Sequence, residues 1–185
     1  MNPIEEPGDL LLEIPESIKN FYDKVMRDPL GQGQNVTLVN SIFNPDWQVR
    51  VNNINPTARG PGTGPNGNQR IFGIFGTFIP NLKYEREHIF LCGDHVVALY
   101  KITGTITRRM PNGFDEIPLF PGIDPEKLLG KSFTTLGLDL HMIKNGKLKH
   151  AWHIEDWPTA VGQMLTGNPA PDLGLYDGYI SEKNY

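Results

Sequence analysis

The sequence predicts a domain of the α+β class, in which helices come first and a set of antiparallel strands follows. In the first half, apolar residues recur at helical spacing after Pro15. In the second half, apolar and polar residues alternate over long segments, as in strands that bury one face. The pair Asn145-Gly146 between two such segments is typical of a two-residue hairpin turn. Helices early and strands late favour this class over alternating βαβ units.

The predicted helices are short and are bounded by prolines and glycines. The first starts at Pro15, which suits the first helical position, and it ends before Asp28-Pro29. The last has Gly167 just past its end, where glycine is common. The four predicted helices cover residues 15–27, 34–43, 70–78 and 158–165.

The predicted strands lie mainly after residue 80. Turn residues separate them, first at Gly93-Asp94 and then at Asn145-Gly146. The break at Asn44-Pro45-Asp46 precedes the earliest strand. The five predicted strands cover residues 47–51, 84–91, 95–107, 132–143 and 147–156.

Two segments rich in glycine and proline read as loops, at residues 52–69 and 111–130. Residues 62–67 formally match the dinucleotide-binding pattern G-x-G-x-x-G, which requires a preceding hydrophobic strand. Here the preceding stretch is polar and Pro65 lies inside the motif, so we expect a flexible loop. We predict an N-terminal arm at residues 1–14, one domain at residues 15–167 and a C-terminal tail at residues 168–185.

Composition excludes several classes of protein. The chain has 185 residues and a net charge of −4, with no concentrated basic face, so we expect no nucleic-acid partner. No apolar run reaches the length of a membrane span, so we expect no membrane partner. The single cysteine, Cys92, excludes an internal disulfide. The acidic N-terminus does not resemble a secretory signal, so we expect a cytoplasmic protein.

A carboxylate and an imidazole mark a candidate acid/base site. Asp139 and His141 share one face of a strand, whereas Trp152 and Asp156 share one face of the next strand. We expect these two faces to line one concavity, where burial and the mutual charge of the two groups move both pKa values toward neutrality. Asp156 also precedes a predicted helix, so it is either a general base or a helix-capping carboxylate.

Neither a metal site nor a nucleophile stands out. The cluster from His150 to Asp156 contains metal-ligand residue types, but His150 and His153 point to opposite faces of a strand. We therefore predict no metal.

The aromatic residues of the chain form either a flat pocket for a ligand or part of the core. They are Phe72, Phe75, Phe78, Phe90, Tyr100, Trp152 and Trp157.

An ordered set of short motifs resembles the SnoaL-like polyketide cyclases, within the NTF2-like superfamily. The resemblance covers residues 15–166 and is closest from Phe78 onward. Its motifs are Phe78–Leu82, Gly93–Ala98, Thr103–Thr105, Gly130–Lys131, Gly137–His141 and Asn145–Asp156.

This resemblance implies a cone-shaped barrel, in which a curved antiparallel sheet is wrapped by the N-terminal helices around a deep pocket. It also implies a cofactor-free intramolecular aldol condensation of a polyketide ester. Asp156 matches the acid/base aspartate and His141 matches a pocket histidine. Asp139 stands where the family pattern suggests an amide. Five residues are expected to bind substrate: Asp139, Trp152, Tyr100, Phe75 and His153.

The leading hypothesis is an acid/base enzyme, with Asp156 and His141 as catalytic residues, acting on a small hydrophobic molecule. A hydrolase or isomerase on the same fold is an alternative, because one fold hosts many reactions. A non-catalytic ligand-binding module is another. Convergence of Asp139, His141 and Asp156 on one cavity would favour catalysis. The resemblance also implies a homodimer formed through the exposed face of the sheet.

Overall fold

The structure is a computed structural model that describes residues 14–51, 65–109 and 123–167. Several predicted features lie wholly or largely outside these residues. They are the N-terminal arm, residues 52–64 of the first loop with the start of its glycine motif, residues 110–122 of the second loop, and the tail. The division into arm, domain and tail stays a prediction.

Four α-helices belong to the described residues. Helix α1 (Glu16–Asn20) continues without a break as a π-helix (Phe21–Met26). Helix α2 is Val36–Ile42 and helix α3 is Pro65–Phe78. Helix α4 (Trp157–Thr166) begins after Asp156, whose side chain accepts a hydrogen bond from the backbone N–H of Thr159. Two short 3₁₀ helices cover Gln32–Gln34 and Pro125–Leu128.

Five strands form one curved, open sheet in the order β1-β5-β4-β3-β2. Strands β2 to β5 are antiparallel neighbours, whereas β1 pairs with β5 in the parallel sense. The α+β class is therefore confirmed, but the expectation of an all-antiparallel sheet is wrong at β1. Parallel strands need a long crossover, and the chain between β1 and β5 supplies it. The strands are β1 (Phe43–Val51), β2 (Lys83–Cys92), β3 (His95–Thr105), β4 (Ser132–Lys144) and β5 (Lys147–Glu155).

Strands β2 to β5 and helix α4 lie within two residues of their predicted bounds. Two bounds in the first half differ more. Helix α3 begins at Pro65, inside the predicted loop, because proline suits the first turn of a helix. Strand β1 begins at Phe43, and its register shifts before Gln48, so Pro45 lies in an irregular stretch where no ladder bond is needed.

One face of the sheet, called the inner face here, carries the alternating buried residues of β3, such as Val96 and Tyr100. The π-helix contacts β2, α1 contacts β5 and α4 contacts β4. Apolar side chains from these elements form one core. Its largest fully buried members include Trp47, Trp157, Tyr22, Tyr100, Phe21, Phe43 and Phe78.

A bulge in the β4–β5 hairpin decides which side chains reach the inner face. Beside the turn, Lys144 lies opposite Lys147, as in a two-residue hairpin. The register shifts by one residue further along, so that Asp139 lies opposite His153 rather than Trp152. A shift of one residue moves every later side chain of a strand to the other face.

The expectation that Trp152 and Asp156 share a face with Asp139 and His141 is therefore wrong. Residues directly opposite in an antiparallel pair share a face, and Asp139 shares its face with His153. Trp152 lies opposite Leu140 on the outer face, where it is 39% exposed.

Gly137 makes room on the inner face for a tyrosine. It lies opposite Tyr100 on β3 and opposite Glu155 on β5. A Cβ atom at this position would lie 2.2 Å from ring carbon Cε2 of Tyr100 and 2.7 Å from its hydroxyl oxygen. Because these distances are far below van der Waals contact, the ring of Tyr100 lies across Gly137, and no larger residue fits there.

We predict that Gly137→Ala lowers the free energy of unfolding by about 1–3 kcal/mol, because the buried ring of Tyr100 must shift. Gly162→Ala is the control, since nothing lies within 4 Å of a Cβ at that helical position. The control should raise the free energy of unfolding by about 0.5–1 kcal/mol through helix propensity. Urea unfolding measures both variants. A Gly137→Ala variant as stable as wild type would contradict the close contact.

Candidate functional site

The carboxylate of Asp139 is the centre of a buried polar cluster on the inner face. Its side chain has no exposed surface. Oxygen Oδ1 accepts a hydrogen bond from the Tyr100 hydroxyl at 2.7 Å and lies 2.5 Å from His153 Nδ1. Oxygen Oδ2 accepts hydrogen bonds from the Tyr22 hydroxyl at 2.9 Å and from His141 Nε2 at 3.1 Å. Four donors therefore occupy the two oxygens, about as many as a carboxylate can accept.

These donors keep Asp139 ionised. Burial alone raises the pKa of a carboxyl group, but here the charge of His153 and the hydrogen bonds from His141 and His153 outweigh it. The pKa of Asp139 consequently lies well below its ordinary value. Asp139 is a carboxylate at neutral pH, with little capacity left to accept another proton or bond.

The carboxylate fixes the protonation of the facing nitrogen on each histidine. A carboxylate only accepts, so His141 Nε2 and His153 Nδ1 both carry a proton. Burial lowers the pKa of His141, and the opposing effect of Asp139 is smaller. Burial also acts to lower the pKa of His153, but there Asp139 prevails and raises it above its ordinary value.

The two histidines differ in access to solvent. The side chain of His141 is fully buried, and its ring makes edge contacts with Phe21, Tyr22 and His153 at centroid distances of 5.2 to 5.7 Å. Its Nδ1 atom is buried without a hydrogen-bond partner among the residues described. The side chain of His153 keeps 11% of its surface exposed. Of the five residues in the cluster, His153 is thus the most open to a small molecule.

The two tyrosines act as fixed donors. Tyr22 comes from the π-helix, a rare conformation that is frequent at functional sites, and Tyr100 comes from β3. Burial, followed by the charge of Asp139, raises the pKa of both hydroxyls well above the ordinary value. Both therefore stay protonated and keep donating to the carboxylate.

A second carboxyl group lies one pair further along the same face. Glu155 is buried opposite Gly137, and its Oε2 accepts a hydrogen bond from Trp157 Nε1 at 2.8 Å. Burial raises the pKa of Glu155 above its ordinary value, although His153 and Trp157 oppose the change. The inner face thus carries one carboxyl group with a lowered pKa, Asp139, and another with a raised pKa, Glu155.

The structure brings together some of the predicted site residues and separates others. Asp139, His141, His153 and Tyr100 meet in the cluster. Asp156 is exposed at the start of α4, where its Oδ1 accepts a hydrogen bond from the Thr159 N–H at 3.1 Å. Phe75 packs in the core with its ring stacked on Trp157 at 6.4 Å. The expected convergence of Asp156 with Asp139 and His141 is not observed.

Three residues in or beside the cluster are not singled out by the sequence analysis. Tyr22 lies within the first predicted helix, Tyr84 begins a predicted strand, and Glu155 falls in the segment from His150 to Asp156 that contains metal-ligand residue types. For Tyr84 and Glu155 the alternation of β2 and β5 holds the signal, but the register that aligns the strands is not visible in the sequence.

A cavity of about 250 Å³ lies beside the cluster, between the π-helix and β2. Four of its six lining residues carry a charge, so this cavity differs from the hydrophobic pocket that the sequence predicts. The hydrophobic pocket stays a prediction. The lining residues are Tyr22, Asp23, Arg27, Tyr84, Glu85 and Arg86.

Two further observations concern metals and membranes. Within residues 14–51, 65–109 and 123–167, no group of three or more His, Cys, Asp and Glu side chains is arranged to hold a metal ion. None of the helices in the same ranges combines the length and apolar character of a membrane span.

Similarity to known proteins is visible in the structure alone. No protein-family model and no curated protein sequence matches the chain. Three solved structures illustrate the likeness. A candidate SnoaL-like polyketide cyclase from Jannaschia sp. CCS1 has a TM-score of 0.59 at 16% identity, over 85% of this chain and 96% of the other.

The other two are also below 20% identical in sequence. IdmH from Streptomyces antibioticus, a candidate polyketide cyclase, has a TM-score of 0.55 at 18% identity, over 80% of this chain and 95% of the other. A protein from Catenulispora acidiphila with a ketosteroid isomerase-like fold has a TM-score of 0.54 at 16% identity, over 84% and 95%. The chain therefore has the fold of SnoaL-like and ketosteroid isomerase-like proteins, and the resemblance inferred from the sequence is confirmed for the fold.

We predict that the two histidines of the cluster titrate on opposite sides of the ordinary histidine pKa of about 6.5. His153 should titrate above it because of the Asp139 charge, and His141 below it because of burial. In Asp139→Asn the pKa of His153 should fall, since burial is then opposed only by the weaker effect of Glu155. Histidine NMR titration measures each pKa. Equal values for the two rings, or an unchanged His153 in the variant, would contradict this electrostatic account.

Proposed function

We propose that the chain is a cofactor-free acid/base enzyme in which His153 transfers the proton. Asp139 orients the His153 ring and stabilises its positively charged form. The observation that carries the proposal is the pairing of a buried, ionised carboxylate with the most exposed histidine of its cluster. Such a pair holds the imidazole in one tautomer and stabilises the imidazolium that forms when it takes a proton.

The assignment to His153 follows from which atoms remain free. Asp139 already accepts from four donors, and its pKa is low, so it is a weak and occupied base. His141 donates its Nε2 proton to Asp139 in a hydrogen bond, and its side chain is fully buried. His153 presents Nε2 while Nδ1 is held by the carboxylate, and its raised pKa makes it a stronger base than His141.

The reaction proposed is the formation of a carbon–carbon bond within one substrate. His153 Nε2 takes a proton from a carbon between two carbonyl groups, and the C–H electron pair becomes an enolate. The enolate carbon attacks a second carbonyl carbon, whose π electrons move to its oxygen as an alkoxide. The imidazolium of His153 then returns the proton to that oxygen. Atoms and charge balance without a cofactor, as the sequence analysis expects.

The substrate class proposed is a small polyketide-like molecule with adjacent carbonyl groups. Support comes from the fold, since two of the similar structures are named as candidate polyketide cyclases. Hydrolysis or isomerisation would use the same base and stays an alternative. We expect the protein to act in the cytoplasm, where the exposed thiol of Cys92 stays reduced.

We predict that His153→Asn lowers kcat/KM on aromatic β-dicarbonyl esters by about 10²–10⁴-fold, the range for loss of a general base. Asparagine keeps an N–H that can face Asp139, so the variant removes the base and preserves the contact. In wild type, kcat/KM should rise with pH through the pKa of His153. Asp139→Asn should move this rise to lower pH, because the carboxylate raises that pKa.

Asp156→Asn is the matched test of the competing assignment, in which Asp156 is the base. The His153 mechanism predicts that this exposed variant keeps kcat/KM within about threefold, because asparagine also caps helices well. Loss of turnover in Asp156→Asn with retention in His153→Asn would reverse the assignment. Ligand binding without turnover in wild type would establish the non-catalytic binding module instead.

The proposal includes a homodimer formed through the outer face. Apolar side chains line up there across four strands, because Phe90 lies opposite Val97, Val97 opposite Leu140, and Leu140 opposite Trp152. Phe90 is 55% exposed and Ile154, in the next row, is 62% exposed. A second copy can cover such a face symmetrically, the same patch on each subunit.

We predict that Ile154→Lys converts a dimer into a monomer, because it places a charge at the most exposed apolar side chain of this patch. Val36→Lys is the control, since Val36 is similarly exposed at 56% but lies on helix α2. Analytical ultracentrifugation measures the mass of each variant. A monomeric wild type, or dissociation by both substitutions, would contradict an interface on the outer face.

A further inference from the structure

We infer that the cavity between the π-helix and β2 binds the carboxylate of a small organic acid. The inference concerns a site outside the Asp139–His153 pair, and it stands whether or not the chain is catalytic. It rests on which polar groups of the cavity already have partners and which do not.

The cavity is assembled by two rigid elements. Tyr22 and Asp23 lie on the π-helix, Arg27 directly follows it, and residues 84–86 lie on β2. Arg86 lies opposite Tyr100 in the β2–β3 pair, and its side chain binds Asp23 across the cavity, with Nη2 2.9 Å from Oδ1. The bulge of β2 follows directly after Arg86, so the strand is irregular next to a residue that lines the cavity.

Tyr84 has a hydroxyl without a partner. Its side chain is only 4% exposed, yet the hydroxyl forms no hydrogen bond within the described parts of the chain. In the same parts, the side-chain polar atoms that are closed to solvent without a partner are Trp47 Nε1 and His141 Nδ1. The hydroxyl of Tyr84 is not one of these closed atoms, and Tyr84 is one of the residues that line the cavity.

Arg27 is the second uncommitted donor. It lines the cavity, and no carboxylate of the described residues pairs with it. A guanidinium offers several N–H groups in one plane, which match the two oxygens of a carboxylate. Tyr84 and Arg27 both line the cavity, so we infer that one bound anion meets both side chains.

The acidic residues of the cavity do not repel an anion strongly, because each has a cation of its own. Asp23 pairs with Arg86. Glu85 lies 2.5 Å from Lys83 Nζ and 2.9 Å from Lys101 Nζ. With Asp23 and Glu85 neutralised by these partners, Arg27 supplies the one unbalanced charge among the lining residues.

The size of the cavity limits the rest of the ligand. Its volume of about 250 Å³ is below the range for drug-sized ligands, so a single ring with an acid group is the appropriate scale. Tyr22 and Tyr84 are the two aromatic residues among those that line the cavity. Tyr22 also joins the cavity to the buried cluster, since its hydroxyl donates to Asp139.

The test is an NMR titration of the whole chain with benzoate, beside the uncharged benzamide and inorganic phosphate. We expect benzoate to bind more tightly than either. Arg27→Gln should weaken benzoate binding about tenfold or more, and Tyr84→Phe about 3- to 10-fold, as charged and neutral hydrogen bonds are lost. Lys24→Gln is the matched control, because it removes the same charge from the exposed side of the π-helix without lining the cavity.

Several results would overturn the inference. They are no saturable benzoate binding, benzamide or phosphate binding as tightly as benzoate, or an equal loss of affinity in Lys24→Gln and Arg27→Gln. His153→Asn separates this site from the proposed catalysis, since it should change benzoate affinity less than twofold. Turnover lost in that variant with benzoate binding retained would show two distinct sites, whereas loss of both would contradict the separate site.

Discussion

A carboxylate with no exposed surface is tolerated only where donors replace the water it has lost. Removing a charge from water costs several kcal/mol, and it is offset only when the hydrogen-bonding capacity of the group is filled. Asp139 meets this requirement with four donors from four different segments. Tyr22 comes from the helical layer, Tyr100 from β3, His141 from β4 itself and His153 from β5. One buried charge thus ties the N-terminal helices to the three central strands, and loss of a donor would leave it uncompensated.

Two backbone features allow these donors to meet. The bulge beside the hairpin turn moves His153 to the inner face. Its unpaired residue, Lys149, forms an ion pair with Asp46 in the irregular stretch of β1 between Phe43 and Gln48. Gly137 leaves the space that the ring of Tyr100 occupies. With a regular hairpin, Trp152 would face the carboxylate in place of His153, and with a larger residue at 137 the tyrosine could not reach it. The chemistry of the site therefore depends on strand register as much as on residue type.

Much of the fold was predictable because its signals are local. Alternation located strands β2 to β5, the Asn145-Gly146 turn located the hairpin, and Asp156 with Gly167 bounded helix α4. The site was predictable only in part. Asp139 and His141 share a face by simple alternation, but a bulge adds one residue without a distinctive sequence. Alternation alone therefore assigns His153 to the wrong face, although His153 is among the expected substrate-binding residues. The parallel pairing of β1 and the contact of Tyr22 with Asp139 depend on segments more than 100 residues apart.

The most direct test of this account is the pKa of Asp139, measured by carboxyl ¹³C NMR down to the lowest pH at which the protein stays folded. The account predicts a carboxylate that stays ionised well below the ordinary aspartate value of about 3.9, because the charge of His153 and the hydrogen bonds from His141 and His153 outweigh burial. A pKa at or above the ordinary value would contradict it. Burial would then be the dominant effect on the Asp139 pKa. Asp139 could not stabilise the protonated form of His153, and the proposed acid/base pair would be contradicted.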